Sequence, residues 1–283
     1  MSIQTIAVVG AGTMGAGIAQ VAASSGYTTI LFDVQPQILE KAKASILQNF
    51  DFLVSKQKLT VEAAHAAMQR LTFIQDITAC KADLIIEAIV EKTEVKQQVF
   101  HQLAAINGPA TILASNTSSL SISKIQETIP QPERFLGMHF FNPAPIMKLV
   151  EVIKGAQTHP AIAEQLMQLC KQMGKVPVLC TDAPGFIVNR VARHYYLEAM
   201  QLVEKEGVAI SAIDQAMEAA GFKMGPFKLM DLIGMDINYA VSESIYHAFG
   251  NHERFKPSPI QQQKVAEGKL GRKTGEGFYK YNN

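Results

Sequence analysis

Residues 6–15 read Ile6-Ala7-Val8-Val9-Gly10-Ala11-Gly12-Thr13-Met14-Gly15, and the fold follows from this stretch. Its four apolar residues suit a strand buried on both faces, as in the middle of a parallel sheet. A GxGxxG follows at once and opens a helix. In that pattern the first glycine turns the chain, the second lets backbone N–H groups approach a pyrophosphate, and the third lets helix and strand pack closely. The amino end of the helix then faces the phosphates with its partial positive charge. Asp33 closes the next apolar run, 28–32. At that spacing a carboxylate accepts hydrogen bonds from an adenosine ribose and repels the extra phosphate of NADP, which points to NAD. The bland alternative is that Asp33 only caps the helix after it, and FAD proteins share the fingerprint.

Outward from this turn, apolar runs at 84–88, 111–114 and 148–153 alternate with helical patterns at 13–25, 37–54, 93–106 and 161–173. The alternation predicts an α/β fold: a Rossmann-type, doubly wound sheet with right-handed crossovers, over residues 1–183. Residues 37–70 hold two helical stretches, split near Gln57-Lys58-Leu59-Thr60, where one crossover helix would suffice. An inserted helical hairpin projecting from the sheet is expected there. After Thr181 the strand signals stop. Asp182 can cap a helix with Pro184 in its first turn, and helical patterns follow at 186–206, 211–220, 231–249 and 258–267. An all-helical second domain, 184–283, is therefore expected, without a flexible linker.

Composition closes other doors. A chain of 283 residues is long enough for two domains, and 48% hydrophobic with 18% charged residues is ordinary globular composition. Lys plus Arg number 26 against 25 acidic residues, and the longest basic block is Arg272-Lys273, so no nucleic-acid partner is expected. Cys80, Cys170 and Cys180 are odd in number and lack CxxC spacing, which supports neither a disulfide framework nor a zinc site. A reducing, cytoplasmic setting fits them best. The first charged side chain is Asp33, yet the uncharged stretch before it has no basic start and is interrupted by glycines. No membrane or export role is expected.

A second signal lies in Gly137-Met138-His139-Phe140-Phe141-Asn142-Pro143. Pro143 and Pro145 force a turn after a strand, so His139 stands at that strand's carboxyl end, where open α/β sheets bind their ligands. Glu151 falls within the next apolar run, Leu149-Val150-Glu151-Val152-Ile153, and a carboxylate there needs a partner. If the two strands pair across the turn, Glu151 holds one imidazole nitrogen and the other is placed to move a proton. Ser115-Asn116-Thr117-Ser118-Ser119 follows another strand. By itself it reads as a helix cap, at Ser119 or Ser121.

Together with Gly10, Gly12, Thr13, Met14, Gly15 and Asp33, four further segments carry a family pattern: 114–120 (ASNTSSL), 137–153 (GMHFFNPAPIMKLVEVI), 182–190 (DAPGFIVNR) and 271–281 (GRKTGEGFYKY). The chain resembles the L-3-hydroxyacyl-CoA dehydrogenases over its whole length, most nearly the bacterial 3-hydroxybutyryl-CoA branch. The resemblance implies His139 as the acid/base, Glu151 as its partner, and Ser118 and Asn189 as contacts to the substrate oxygen. It implies that Glu91, Lys96, Ser118 and Asn142 meet the nicotinamide end of NAD, with Lys273 folding back toward it. It implies an acyl-CoA thioester as substrate, with the helical hairpin covering coenzyme A. Lys56 matches the basic residue there, whereas Asn49 stands where the mammalian pattern has serine. A homodimer through the helical second domain is implied in the same way. The rival readings are a dehydrogenase of 3-hydroxyadipyl-CoA or of a free hydroxy acid, a non-catalytic dinucleotide-binding protein, and a flavoprotein.

Overall fold

The computed structural model describes residues 2–281, and the chain divides into two compact units between Ala183 and Pro184. In the first unit, β1 (Thr5–Val9) runs straight into α1 (Thr13–Ser24) and then β2 (Thr28–Phe32). The chain continues through α2 (Pro36–Ser55), α3 (Val61–Gln69), β3 (Leu71–Ile74), β4 (Leu84–Glu87), α4 (Thr93–Ile106) and β5 (Ile112–Ser115). It ends with α5 (Ile122–Gln126), β6 (Phe135–Phe140), β7 (Leu149–Lys154), α6 (Pro160–Gln172) and β8 (Val176–Thr181). The eight strands form one sheet in the order β3-β2-β1-β4-β5-β6-β7-β8. The first six are parallel; β7 turns back antiparallel to β6, and β8 runs parallel to β7. Every residue of β4, β5 and β6 is buried, which is why these strands read as apolar runs rather than alternations.

Three features depart from the sequence reading. The hairpin packs by one face: Leu39, Ala42, Ile46 and Phe50 of α2 join the sheet core, while the rest of α2 and the stretch from Asp51 to Thr60 are largely exposed. It is the crossover from β2 to β3, a short edge strand absent from the sequence reading. β8 is likewise absent from the sequence reading: Pro177 interrupts its apolar run, and the strand lies largely exposed at the sheet edge. Asp182 does not cap a helix at 184. Its carboxylate accepts from the N–H groups of Ile122 (3.1 Å) and Ser123 (2.8 Å), so it caps α5 across the chain.

The second unit is helical: α7 (Val188–Glu206), α8 (Ile210–Ala219), α9 (Pro226–Ile233), α10 (Met235–Ala248) and α11 (Pro259–Ala266). The pattern expected as one helix over 231–249 is two, because Gly234 adopts φ +101° and breaks the helix there. Buried Asp231 accepts from the N–H groups of Phe278 and Tyr279 and from the Tyr281 hydroxyl, while Asp214 accepts from the Tyr279 hydroxyl. Two carboxylates thus pin the 271–281 segment against α8 and α9. No described helix is long and apolar enough to cross a membrane.

Candidate active site

At the first turn, Gly10 has φ +100°, and a Cβ on Gly15 would overlap the Gly10 carbonyl oxygen, so neither position accepts a side chain. A Cβ on Gly12 would meet nothing within 4 Å. Gly12 is also the N-cap of α1, and no side chain caps its N–H groups. That leaves an open approach to unsatisfied donors at a helix amino end, the arrangement that holds a phosphate. Asp33 does not cap the following helix, whose N-cap Gln35 carries no side-chain cap bond. One carboxylate oxygen accepts from the Ala11 N–H (2.8 Å) and the other from the Gln35 N–H (2.9 Å), so it braces the turn while lining a cleft of about 570 Å³. The cleft's other walls include Val34, Ile38, Ala88, Ile89 and Val90. An apolar slot ending in a carboxylate beside a phosphate-ready helix end fits an adenosine diphosphate moiety.

Two carboxylates order the neighbouring loops. Glu87 is fully buried; Lys96 Nζ lies 2.6 Å from its Oε1, and the Ser115 hydroxyl donates to its Oε2 (2.7 Å). The same ammonium is 3.2 Å from Glu91. Glu91 Oε1 collects the Thr117 hydroxyl (2.6 Å), the Ser118 N–H (2.9 Å) and longer contacts from the Ser118 hydroxyl and from Ser119. Burial works to raise the Glu91 pKa, but the Lys96 charge and these hydrogen bonds outweigh it and hold the carboxyl below its ordinary range. Lys96 is an enclosed counter-ion, only 1% exposed, shared by Glu87 and Glu91.

The His139–Glu151 pair is assembled by strand register. His139 and Glu151 are direct partners in the β6–β7 ladder, and His139 Nδ1 lies 2.7 Å from Glu151 Oε2. The imidazole is 6% exposed and the carboxylate 1%. Asn116, next to the Thr117–Ser119 loop, accepts the Phe140 N–H (2.8 Å) and ties that loop to the strand carrying His139. The turn after β6, which carries Asn142, is held by Lys175, whose ammonium donates to the carbonyls of Ala144 (2.5 Å) and Met147 (2.9 Å). Burial lowers the pKa of that lysine.

The first unit thus gathers Gly10–Gly15, Asp33, Glu91, Ser118, His139, Asn142 and Glu151 along the carboxyl edge of its parallel strands. Lys56 ends α2 at its exposed tip, its Nζ 5.7 Å over the Phe52 ring. Asn49 lies one turn before Phe52–Leu53 and bonds Gln20. In the second unit, Asn189 sits in the first turn of α7, and Lys273 pairs with Asp236 at 2.6 Å. Glu87, Asn116 and Lys175 were not singled out from the sequence. Glu87 carries the signal that exposed Glu151, a lone carboxylate closing an apolar run.

Residues 5–183 match the model of the 3-hydroxyacyl-CoA dehydrogenase NAD-binding domain, and residues 185–281 match that of the family's C-terminal domain. The chain is 49% identical over 281 residues to 3-hydroxyadipyl-CoA dehydrogenase of Escherichia coli K12, covering 99% of this chain but only 59% of that protein. It is 43% identical to a probable 3-hydroxybutyryl-CoA dehydrogenase of Deinococcus radiodurans, covering 97% and 99% respectively. The crystal structure of (S)-3-hydroxybutyryl-CoA dehydrogenase from Ralstonia eutropha superposes with a TM-score of 0.95 at 38% identity, covering all of both chains.

Proposed function

The chain belongs to the 3-hydroxyacyl-CoA dehydrogenase family, and we propose that it interconverts (S)-3-hydroxyacyl-CoA and 3-ketoacyl-CoA thioesters with NAD. The observation that carries this reading is the buried His139–Glu151 pair at 2.7 Å. In oxidation, His139 accepts the proton of the 3-hydroxyl; in reduction, its protonated ring returns one to the developing alkoxide. Glu151 holds the ring orientation and opposes the positive charge that forms on it. The glycine turn and Asp33 are proposed to hold the dinucleotide, with Glu91 and Asn142 toward its nicotinamide end. NAD, when bound, supplies the hydride chemistry; the chain supplies alignment and charge complementarity. Ser118 is proposed as a contact to the reacting oxygen, and Asn189 and Lys273 keep their proposed roles toward substrate and cofactor.

Short-chain substrates are the proposed class, because relatives are named for 3-hydroxybutyryl-CoA. A 3-hydroxyadipyl thioester is the second reading, favoured by the name of the Escherichia coli relative. Loss of NADH absorbance with acetoacetyl-CoA and with 3-oxoadipyl-CoA, each beside its free acid, tests both. Turnover of a thioester but not of its free acid supports the proposal, and the higher kcat/KM chooses the chain. NADH binding without any turnover would leave a dinucleotide-binding protein instead. A homodimer through the helical unit and a cytoplasmic setting complete the reading.

A further inference from the structure

Glu87 stands where the strand order reverses. From β1 the sheet builds outward to β2 and β3, and from β4 it builds the other way to β5 and β6. An open α/β sheet binds a dinucleotide across its carboxyl edge at such a point. Val9, the residue before the glycine turn, is in register with Glu87, and Glu87 with Ser115. Asp33, just past the end of β2, takes the adenosine half in the reading above. That leaves the nicotinamide half to the β4–β5 side, where Glu87 lies.

Three side chains there form a charged cluster. Glu87 Oε1 accepts from the Ile89 N–H (2.7 Å) and lies 2.6 Å from Lys96 Nζ, and its Oε2 accepts the Ser115 hydroxyl (2.7 Å). It accepts throughout and donates nowhere, as an ionised carboxylate does. Glu91 is held in its charged form by Lys96 and by its own hydrogen bonds. Among the described residues, Lys96 is the one cation paired with either carboxylate. Two negative charges thus share one positive, and one negative charge is left over. Water and salt screen it weakly, because Glu87 is 0% and Lys96 1% exposed. Glu91, at 37% exposure, carries the cluster to the surface of the edge. A second carboxylate is costly to bury, and Glu91 alone would balance Lys96. The surplus suits a cation arriving from outside the chain.

The two forms of the cofactor differ by such a charge, since the nicotinamide ring is cationic in NAD and neutral in NADH. We propose that Glu87 sets the preference of the site between these forms, its charge acting through the cluster to favour the oxidised ring without touching it. The assignment rests on the NAD reading above. By linkage, the bound couple is held toward its oxidised form by the same factor.

The test is the dissociation constant of each form, NADH by its fluorescence and NAD by calorimetry, for the parent, Glu87→Gln and Glu87→Asp. At an effective dielectric of about 20, one charge acting over roughly 10 Å is worth about tenfold in affinity, less where water enters. Glu87→Gln should therefore weaken NAD roughly three- to tenfold and leave NADH within about twofold. Glu87→Asp keeps the charge, so the ratio of the two constants should stay parental even if both affinities fall. Equal weakening of both forms by Glu87→Gln, or no change in either, overturns the proposal and leaves Glu87 a structural residue. Should Glu87→Gln fail to fold, Glu91→Gln removes the same surplus charge from the exposed end of the cluster. It must then shift the ratio the same way, and an unshifted ratio overturns the proposal. A parent protein that binds neither form defeats the NAD reading itself. Parental binding with an unshifted ratio defeats only this assignment.

Discussion

At the scale of single residues, Asp33 braces the glycine turn and is the proposed ribose contact. It accepts the Ala11 and Gln35 N–H groups, yet it remains partly exposed in the cleft. Asp33→Ser should therefore narrow the preference for NADH over NADPH by roughly ten- to a hundredfold, the range of a charge-assisted contact, and raise the KM for NADH as the turn loosens. Equal kcat/KM for the two cofactors in the parent protein contradicts this. Glu91 yields a pH prediction. Because its folded pKa is depressed, its contribution to stability is present above the ordinary carboxylate range and is lost as pH falls through the lowered value. Urea melts across that acidic window should show Glu91→Gln losing less stability than the parent; parallel curves would remove Glu91 from the account. Glu151 was legible because a carboxylate in an apolar strand needs a partner. Glu87 satisfies the same criterion, but the sequence offers no spacing that pairs it with Lys96 across a strand–helix turn.

At the scale of elements, the central strands could be read because burial on both faces leaves them mostly apolar, with Glu87, Ser115, His139 and Glu151 as the exceptions. The edge strands β3 and β8 could not, since β3 has only four residues and β8 carries Pro177 and is largely exposed. Helix breaks failed for a related reason. Periodicity continues through Gly234, and only its left-handed backbone divides α9 from α10. The capping role of Asp182 is set by strand order, which brings β8's end to the start of α5. At the exposed end of α2, Lys56 offers a clean test. If it meets a coenzyme A phosphate remote from the reacting carbon, Lys56→Ala should raise KM roughly ten- to a hundredfold with kcat nearly unchanged. With the pantetheine thioester, which has no nucleotide phosphates, the variant should match the parent. An unchanged KM for the full thioester would make Lys56 a solvated surface lysine.

Across the whole molecule, the sequence divides into halves of different grammar, alternating strands and helices before residue 184 and helices alone after it. The proposed catalytic pair was legible because its two members lie on consecutive strands joined by a short turn, so local spacing predicts their register. The enclosing network of Glu87, Lys96, Asn116 and Lys175 was not, because it depends on which loops the parallel sheet brings to one edge. The account stands or falls on His139 as the proton carrier. The most direct measurement is the kcat of His139→Ala in acetoacetyl-CoA reduction, with NADH binding followed in parallel by fluorescence. Loss of a general acid/base should lower kcat by roughly 10²–10⁴ while NADH affinity stays at the parental value. A fall of less than about tenfold, with the variant folded and binding NADH, would show that another group carries the proton.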